Sequence, residues 1–119
     1  MKRWMVDAMN VIGSRPDGWW RDREGAARRL IEELRGLDGE VTVVLDAGPP
    51  ELAGRDGDLE VVIAPRRGRD AADDEIVRRL AADSDPASIT VVTSDAALAA
   101  RARALGATVV GASALPKGV

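Results

Sequence analysis

The 119-residue chain has no cysteine, no histidine, no phenylalanine and no tyrosine. Without cysteine there can be no disulfide, thiolate nucleophile or Cys-ligated zinc. Without histidine, imidazole bases, the usual catalytic triads and His-ligated metals are excluded as well. Any chemistry must run on carboxylates, hydroxyls, amides and cations. Three tryptophans are the only aromatics, so Val, Leu, Ile and Ala have to fill the core. No apolar run reaches membrane-spanning length and no signal-peptide pattern opens the chain, which leads us to expect a cytoplasmic protein without membrane association. A net charge of -3 offers no global attraction to nucleic acid, leaving local patches to do so. A hydrophobic content of 45% with 31% charged residues is ordinary for a folded protein, and the length suits one domain over 1–119.

Against these absences stands a repeated pattern. The run Trp4-Met5-Val6-Asp7 closes on an aspartate, with Asn10 three residues on. Val41-Thr42-Val43-Val44-Leu45-Asp46 and Ile89-Thr90-Val91-Val92-Thr93-Ser94-Asp95 close the same way. Short apolar runs of this kind read as buried parallel strands, whose C-terminal edge is where open α/β sheets bind ligands. Leu59 to Ala64 and Thr108 to Val110 add two further strands, making five. The helical periodicities between them predict an α/β domain of three layers around a mostly parallel five-strand sheet.

Between the strands, Val11 to Gly18 is rich in turn formers and is expected to be a loop. Trp19 and Trp20 follow it; one is expected to cap the first helix against the core, and an exposed indole there could instead stack on a nucleobase. Ala26, Ala27, Leu30, Ile31, Leu34 and Leu37 define one face of a helix over 23–37. Arg21, Arg23, Arg28 and Arg29 gather at its start, as a solvated face or as phosphate contacts. A short basic loop, Pro65-Arg66-Arg67-Gly68-Arg69, leads into Asp70-Ala71-Ala72-Asp73-Asp74-Glu75, where a helix begins. Asp70, Asp74 and Glu75 suit a helix N-terminus. Asp73 lies instead on the stripe of Ile76, Val77 and Leu80, where a solvated helix has no need of a carboxylate. Ser94 or Asp95 can cap the helix Ala96 to Leu105, and residues 111–119 are expected to fray.

Asp7, Asp46, Asp73 and Asp95 thus arrive from four segments at one edge. Crowded carboxylates repel unless a cation lies between them. An all-oxygen donor set suits Mg²⁺ or Mn²⁺, and such a site supports phosphodiester cleavage: the metal polarises the phosphate and acidifies a bound water, and a free carboxylate takes its proton. Asn10 could orient a carboxylate, a water or a phosphate oxygen without adding charge. Each aspartate taken singly could also do no more than end a strand or cap a helix.

These residues resemble a known family. Asp7-Ala8-Met9-Asn10-Val11-Ile12 is similar to the D-x-x-N-[VI]-I opening of NYN domains, the PIN-like nucleases, and in particular their YacP-like branch. Val44-Leu45-Asp46-Ala47, Ala72-Asp73-Asp74-Glu75-Ile76, Val91-Val92-Thr93-Ser94-Asp95 and Gly106-Ala107 follow that branch's later landmarks in order, so the likeness runs from about residue 3 to about residue 115. It implies a PIN-like fold and a metal-dependent endoribonuclease. Asp7, Asn10, Asp73 and Asp95 fall on the catalytic positions, and Asp46 and Asp74 on further metal-ligand positions. The chain is shorter than that branch leads one to expect, with abbreviated loops after Asn10 and Asp46, so substrate-gripping elements would be reduced or supplied by a partner.

The expected substrate is single-stranded RNA, with Arg66, Arg67 and Arg69 and a second cluster at Arg21 and Arg23 on its backbone and Ser94 beside it. A protein partner or a homodimer is compatible with the chain. The competing reading is a non-catalytic module binding RNA, nucleotide or protein at the same acidic edge. A receiver domain would need adjacent acids after the first strand, whereas Ala8 follows Asp7. A TOPRIM domain would need D-x-D at a strand end, whereas Asp83-Ser84-Asp85 ends a helix.

Overall fold

The structure is a computed structural model that describes residues 2–65, 67–68 and 70–115. Its strands β1 (Arg3–Asp7), β2 (Glu40–Leu45), β3 (Gly54–Asp56), β4 (Leu59–Ile63), β5 (Ile89–Val92) and β6 (Thr108–Val110) form one sheet in the order β3-β4-β2-β1-β5-β6. All pairings are parallel except β3 with β4. The helices are α1 (Ala8–Gly13), α2 (Arg23–Leu34), α3 (Ala71–Ala82) and α4 (Ala96–Ala104).

Alternation along the strands explains the layers, because successive side chains point to opposite faces. Val6, Val41, Val43, Leu45 and Val92 face one way and pack with Val11, Ile12, Leu30, Ile31 and Leu34 of α1 and α2. Met5, Val44, Ile89 and Val91 face the other way, against Ile76 and Leu80 of α3 and Leu98 and Ala102 of α4. The sheet is therefore buried on both faces by aliphatic side chains. At full burial each contributes about 1.5–3 kcal/mol. Gly39 lets β2 start beside β1: its φ is +108°, and a Cβ there would stand 2.3 Å from the Lys2 carbonyl oxygen. Among the described residues no helix is long and apolar enough to cross a membrane.

Four expectations need correction. The sheet has six strands, not five. The extra one, β3, is fully exposed and carries no hydrophobic alternation. It forms a hairpin with β4 in which Asp56 pairs with Leu59 and Gly57 turns at φ +61°. The segment after Asn10 is not loop from Val11 onward, because α1 runs to Gly13 and buries Val11 and Ile12 with Ala8 on one apolar stripe. One and a half turns are too few for periodicity to show through the Gly, Ser and Pro that follow. Residues 111–115 are ordered: Ala112 and Leu115 are buried in the α1/α2 layer, and the Ala112 amide donates to Ser94 Oγ at 2.8 Å. Residues 116–119 lie outside the described residues. Helix α2 ends at Leu34, short of Leu37, which packs against the core from the turn beyond.

Candidate active site

Asp7 is the last residue of the central strand and shares the face of Met5, so its side chain leans toward α3 and α4. It is only 5% exposed. A buried carboxylate needs partners, and Asp7 has one in Thr93, whose Oγ1 donates to Asp7 Oδ2 at 2.9 Å. The same Thr93 oxygen accepts the Asp95 amide at 3.1 Å. Asp95 in turn caps α4, one carboxylate oxygen accepting the amides of Ala97 at 2.9 Å and Leu98 at 3.0 Å. Asn10, one turn into α1, accepts the Ser94 amide on Oδ1 at 2.7 Å. Its side-chain NH₂ is left as the donor. Asn10 and Thr93 thereby lock the end of β1 to the β5–α4 junction.

Asp73, in the first turn of α3, completes the group and feels the charges of the other two. Burial first, then the charges of Asp7, Asp95 and Asp70, push its carboxyl up to about 6, against a smaller opposing pull from Arg101. Asp7 is raised too, chiefly by burial and then by Asp95 and Asp46, with the Thr93 hydroxyl holding it back. The Asn10 backbone amide also favours its charged form without completing a helix cap. Asp7, Asp73 and Asp95 therefore repel one another from β1, α3 and the α4 cap, and Asp46 at the end of β2 adds to the field on Asp7.

The other predicted residues are placed as follows. Asp74 is exposed and accepts from Arg101 of α4 at 3.2 Å, on the flank of the trio. Ser94 is exposed with its hydroxyl oxygen engaged by Ala112. Arg21 and Arg23 are exposed, lying over the rings of Trp20 and Trp19 at 5.9 and 5.3 Å. Arg67 is exposed, while Arg66 and Arg69 lie outside the described residues. Trp19 packs against the core, whereas Trp20, at 57%, is the one large hydrophobic exposed among the described residues. Thr93, the partner of two site groups, was missed as a functional residue, because its place beside Asp7 shows only once the sheet is assembled.

No three carboxylates among the described residues stand together at ligand distance from a single point. The donor set still fits a hard divalent cation. It is all oxygen, and two of its carboxyls hold protons more tightly than usual, chiefly because they are buried and further because they face like charge; a bound cation would offset both effects.

A mostly parallel sheet flanked by helices, with aspartates gathered at the carboxyl ends of its central strands, is the arrangement found in PIN-like nuclease domains. Residues 4–119 match the YacP-like NYN domain, and the chain belongs to that family, which is one of PIN-like ribonucleases. Two crystal structures of Rae1 (YacP) from Bacillus subtilis are similar to it. The W164L mutant aligns with a TM-score of 0.76 and 26% identity over 95% of this chain and 71% of that one. The other aligns with a TM-score of 0.73 and 25% identity over 97% of this chain and 71% of that one. Among curated proteins none matches.

Proposed function

We propose that this protein is an endoribonuclease that cuts single-stranded RNA with Mg²⁺ or Mn²⁺ held by Asp7, Asp73 and Asp95, with Asp46 in support. The observation that carries this reading is the gathering of three carboxyls at one edge, where burial first and then the charges of Asp7 and Asp95 raise Asp73 to about 6. A fold does not maintain such repulsion for stability, and perturbed carboxyls gathered at a sheet edge mark functional sites. A divalent cation bound there would polarise the scissile phosphate and acidify a water.

The chain's own residues divide the remaining work. Asp73, raised to about 6, is still mostly ionised above pH 7 and so able to join the ligand set. Asn10, its Oδ1 tied to Ser94, presents its NH₂ to a phosphate oxygen. Thr93 positions Asp7 and Asp95 together. Arg21, Arg23 and Arg67, with Arg66 and Arg69 of the same loop as Arg67, supply backbone contacts, and Trp20 offers an exposed ring on which a base can stack.

The test is cleavage of a mixed, end-labelled single-stranded RNA in Mn²⁺, Mg²⁺ or EDTA by the wild type, Asp7→Asn and Asp95→Asn. Asparagine is as good an N-cap as aspartate, so Asp95→Asn keeps α4 intact. Metal-dependent cleavage lost in both variants supports the reading. Folded wild-type protein that neither cuts RNA nor binds Mn²⁺ overturns it in favour of a binding module.

A further inference from the structure

Beside the acidic edge, a groove of about 270 Å³ opens between the start of α2 and the segment that follows β2. We propose that this groove receives one nucleobase of the RNA, next to the phosphate held at the carboxylates; the inference rests on the nuclease reading above.

The walls are largely apolar, formed by Met9, Ala27, Leu45, Pro49 and Leu52, with Glu24 also lining the groove and its carboxylate paired with Arg28 at 3.0 Å. Asp46, the aspartate whose charge reaches Asp7, lines the groove as well, so the groove and the carboxylate site share a residue. Arg23 stands at the groove over the ring of Trp19, a cation held where the backbone of an entering strand would pass. Apolar walls, a cation for the phosphate and an aspartate shared with the carboxylate edge match the two halves of a nucleotide. The volume lies just below the roughly 300–1,000 Å³ of pockets that take drug-sized ligands, which suits a single planar base.

Gly48 keeps the space open. It is exposed and its φ is not in the left-handed region, so no turn requires glycine here. A Cβ at Gly48 would come within 3.6 Å of Leu52 Cδ1 and 3.8 Å of Leu45 Cδ1, in ordinary contact with the groove wall. A branched side chain would therefore fill the groove without straining the backbone.

The experiment has two arms. In the first, amide spectra of ¹⁵N-labelled protein in EDTA are followed on titration with a short single-stranded RNA and with the same RNA carrying abasic residues. The second measures cleavage of a defined RNA in which each base around the cut is made abasic in turn, for the wild type and Gly48→Val. We expect shifts at Met9, Ala27, Gly48 and Leu52 with the base-containing RNA only. We further expect one abasic position at which wild-type kcat/KM falls about tenfold, with Gly48→Val insensitive to that position. Shifts that avoid the groove, or abasic sensitivity equal in Gly48→Val and wild type, overturn the proposal. Groove shifts in a protein that cuts no RNA would refute the nuclease reading and leave the base site standing.

Discussion

Thr93 Oγ1 donates to Asp7 at 2.9 Å while accepting the Asp95 amide at 3.1 Å, so one hydroxyl orders two of the three site carboxylates. Thr93→Val keeps the shape and removes both bonds. It leaves a buried carboxylate without its donor, at a cost to folding of about 1–3 kcal/mol. Because the hydroxyl holds down the Asp7 carboxyl, its loss raises that group further. The acid limb of the pH–rate profile should move to higher pH, and Thr93→Ser should restore it; an unmoved limb would confine Thr93 to a structural part.

Burial of Asp73, reinforced by the charges of Asp7 and Asp95, gives stability a pH dependence of definite sign. Asp73 has a folded value of about 6, above its ordinary value, so between roughly pH 4 and 6 the folded chain binds more protons than the unfolded one. Stability in EDTA should therefore fall as pH rises through that window. Asp73→Asn should flatten the trend and be more stable than wild type at pH 7.5 by about 1 kcal/mol, after allowance for solvent screening. It should also abolish cleavage. Urea unfolding at pH 5 and 7.5 reads the difference.

Added Mn²⁺ or Mg²⁺ should raise the thermal midpoint, because an ion that binds only the folded state stabilises it, by about 2.7 kcal/mol at a hundred times its dissociation constant. For a domain of this size that is a shift of several degrees or more. Asp7→Asn and Asp73→Asn should each shrink the shift, and EDTA should reverse it.

Asn10 is neutral among acids, and its Oδ1 is committed to the Ser94 amide. Asn10→Asp keeps that acceptor but adds a like charge to the group, so it should lower metal-free stability at neutral pH. Asn10→Ala loses the tie between α1 and the β5–α4 junction. Both should reduce kcat, and thermal denaturation in EDTA separates them by whether acidification restores stability, as it should for Asn10→Asp alone.

Trp20 and Arg23 are exposed, so Trp20→Ala and Arg23→Ala should leave stability within about 0.5 kcal/mol of wild type. Arg23→Ala should weaken RNA binding and reduce the slope of log K against log salt by about one. Trp20→Ala should weaken binding with little change in that slope.

The fold was legible wherever burial imposes a pattern. β1, β2 and β5 contribute to both core layers and β4 to one, so their apolar runs stand out, and α2 and α3 each bury a stripe several turns long. β3 escaped because all three of its residues are exposed, although the Asp56-Gly57 pair carried a hairpin signal. α1 escaped because it is too short to repeat its pattern. In the site, Asp73 betrayed itself by lying on an apolar stripe, and Asp7 by ending one. Thr93 could not be singled out, because a threonine at a strand end is ordinary until Asp7 is seen beside it. Nor could Glu75 be told from a surface acid. It is buried, and its pairing with Arg78 at 2.6 Å and Arg79 at 2.8 Å on its own helix appears only once α3 is wound.

At the far end of the sheet, Arg3 grips Asp83 through both carboxylate oxygens and reaches Ser88 Oγ at 2.8 Å. That grip pins the end of α3 remote from Asp73. Twelve helical residues make a stiff rod of about 18 Å, so the rod acts as a lever whose fulcrum is the start of β1. A tilt of about 3° at the pin carries the Asp73 end by about 1 Å, a displacement that can cost a hundredfold in rate. Arg3→Met touches none of the carboxylates, yet it should slow cleavage if α3 shifts at its pinned end, a change that the catalytic rate reads directly.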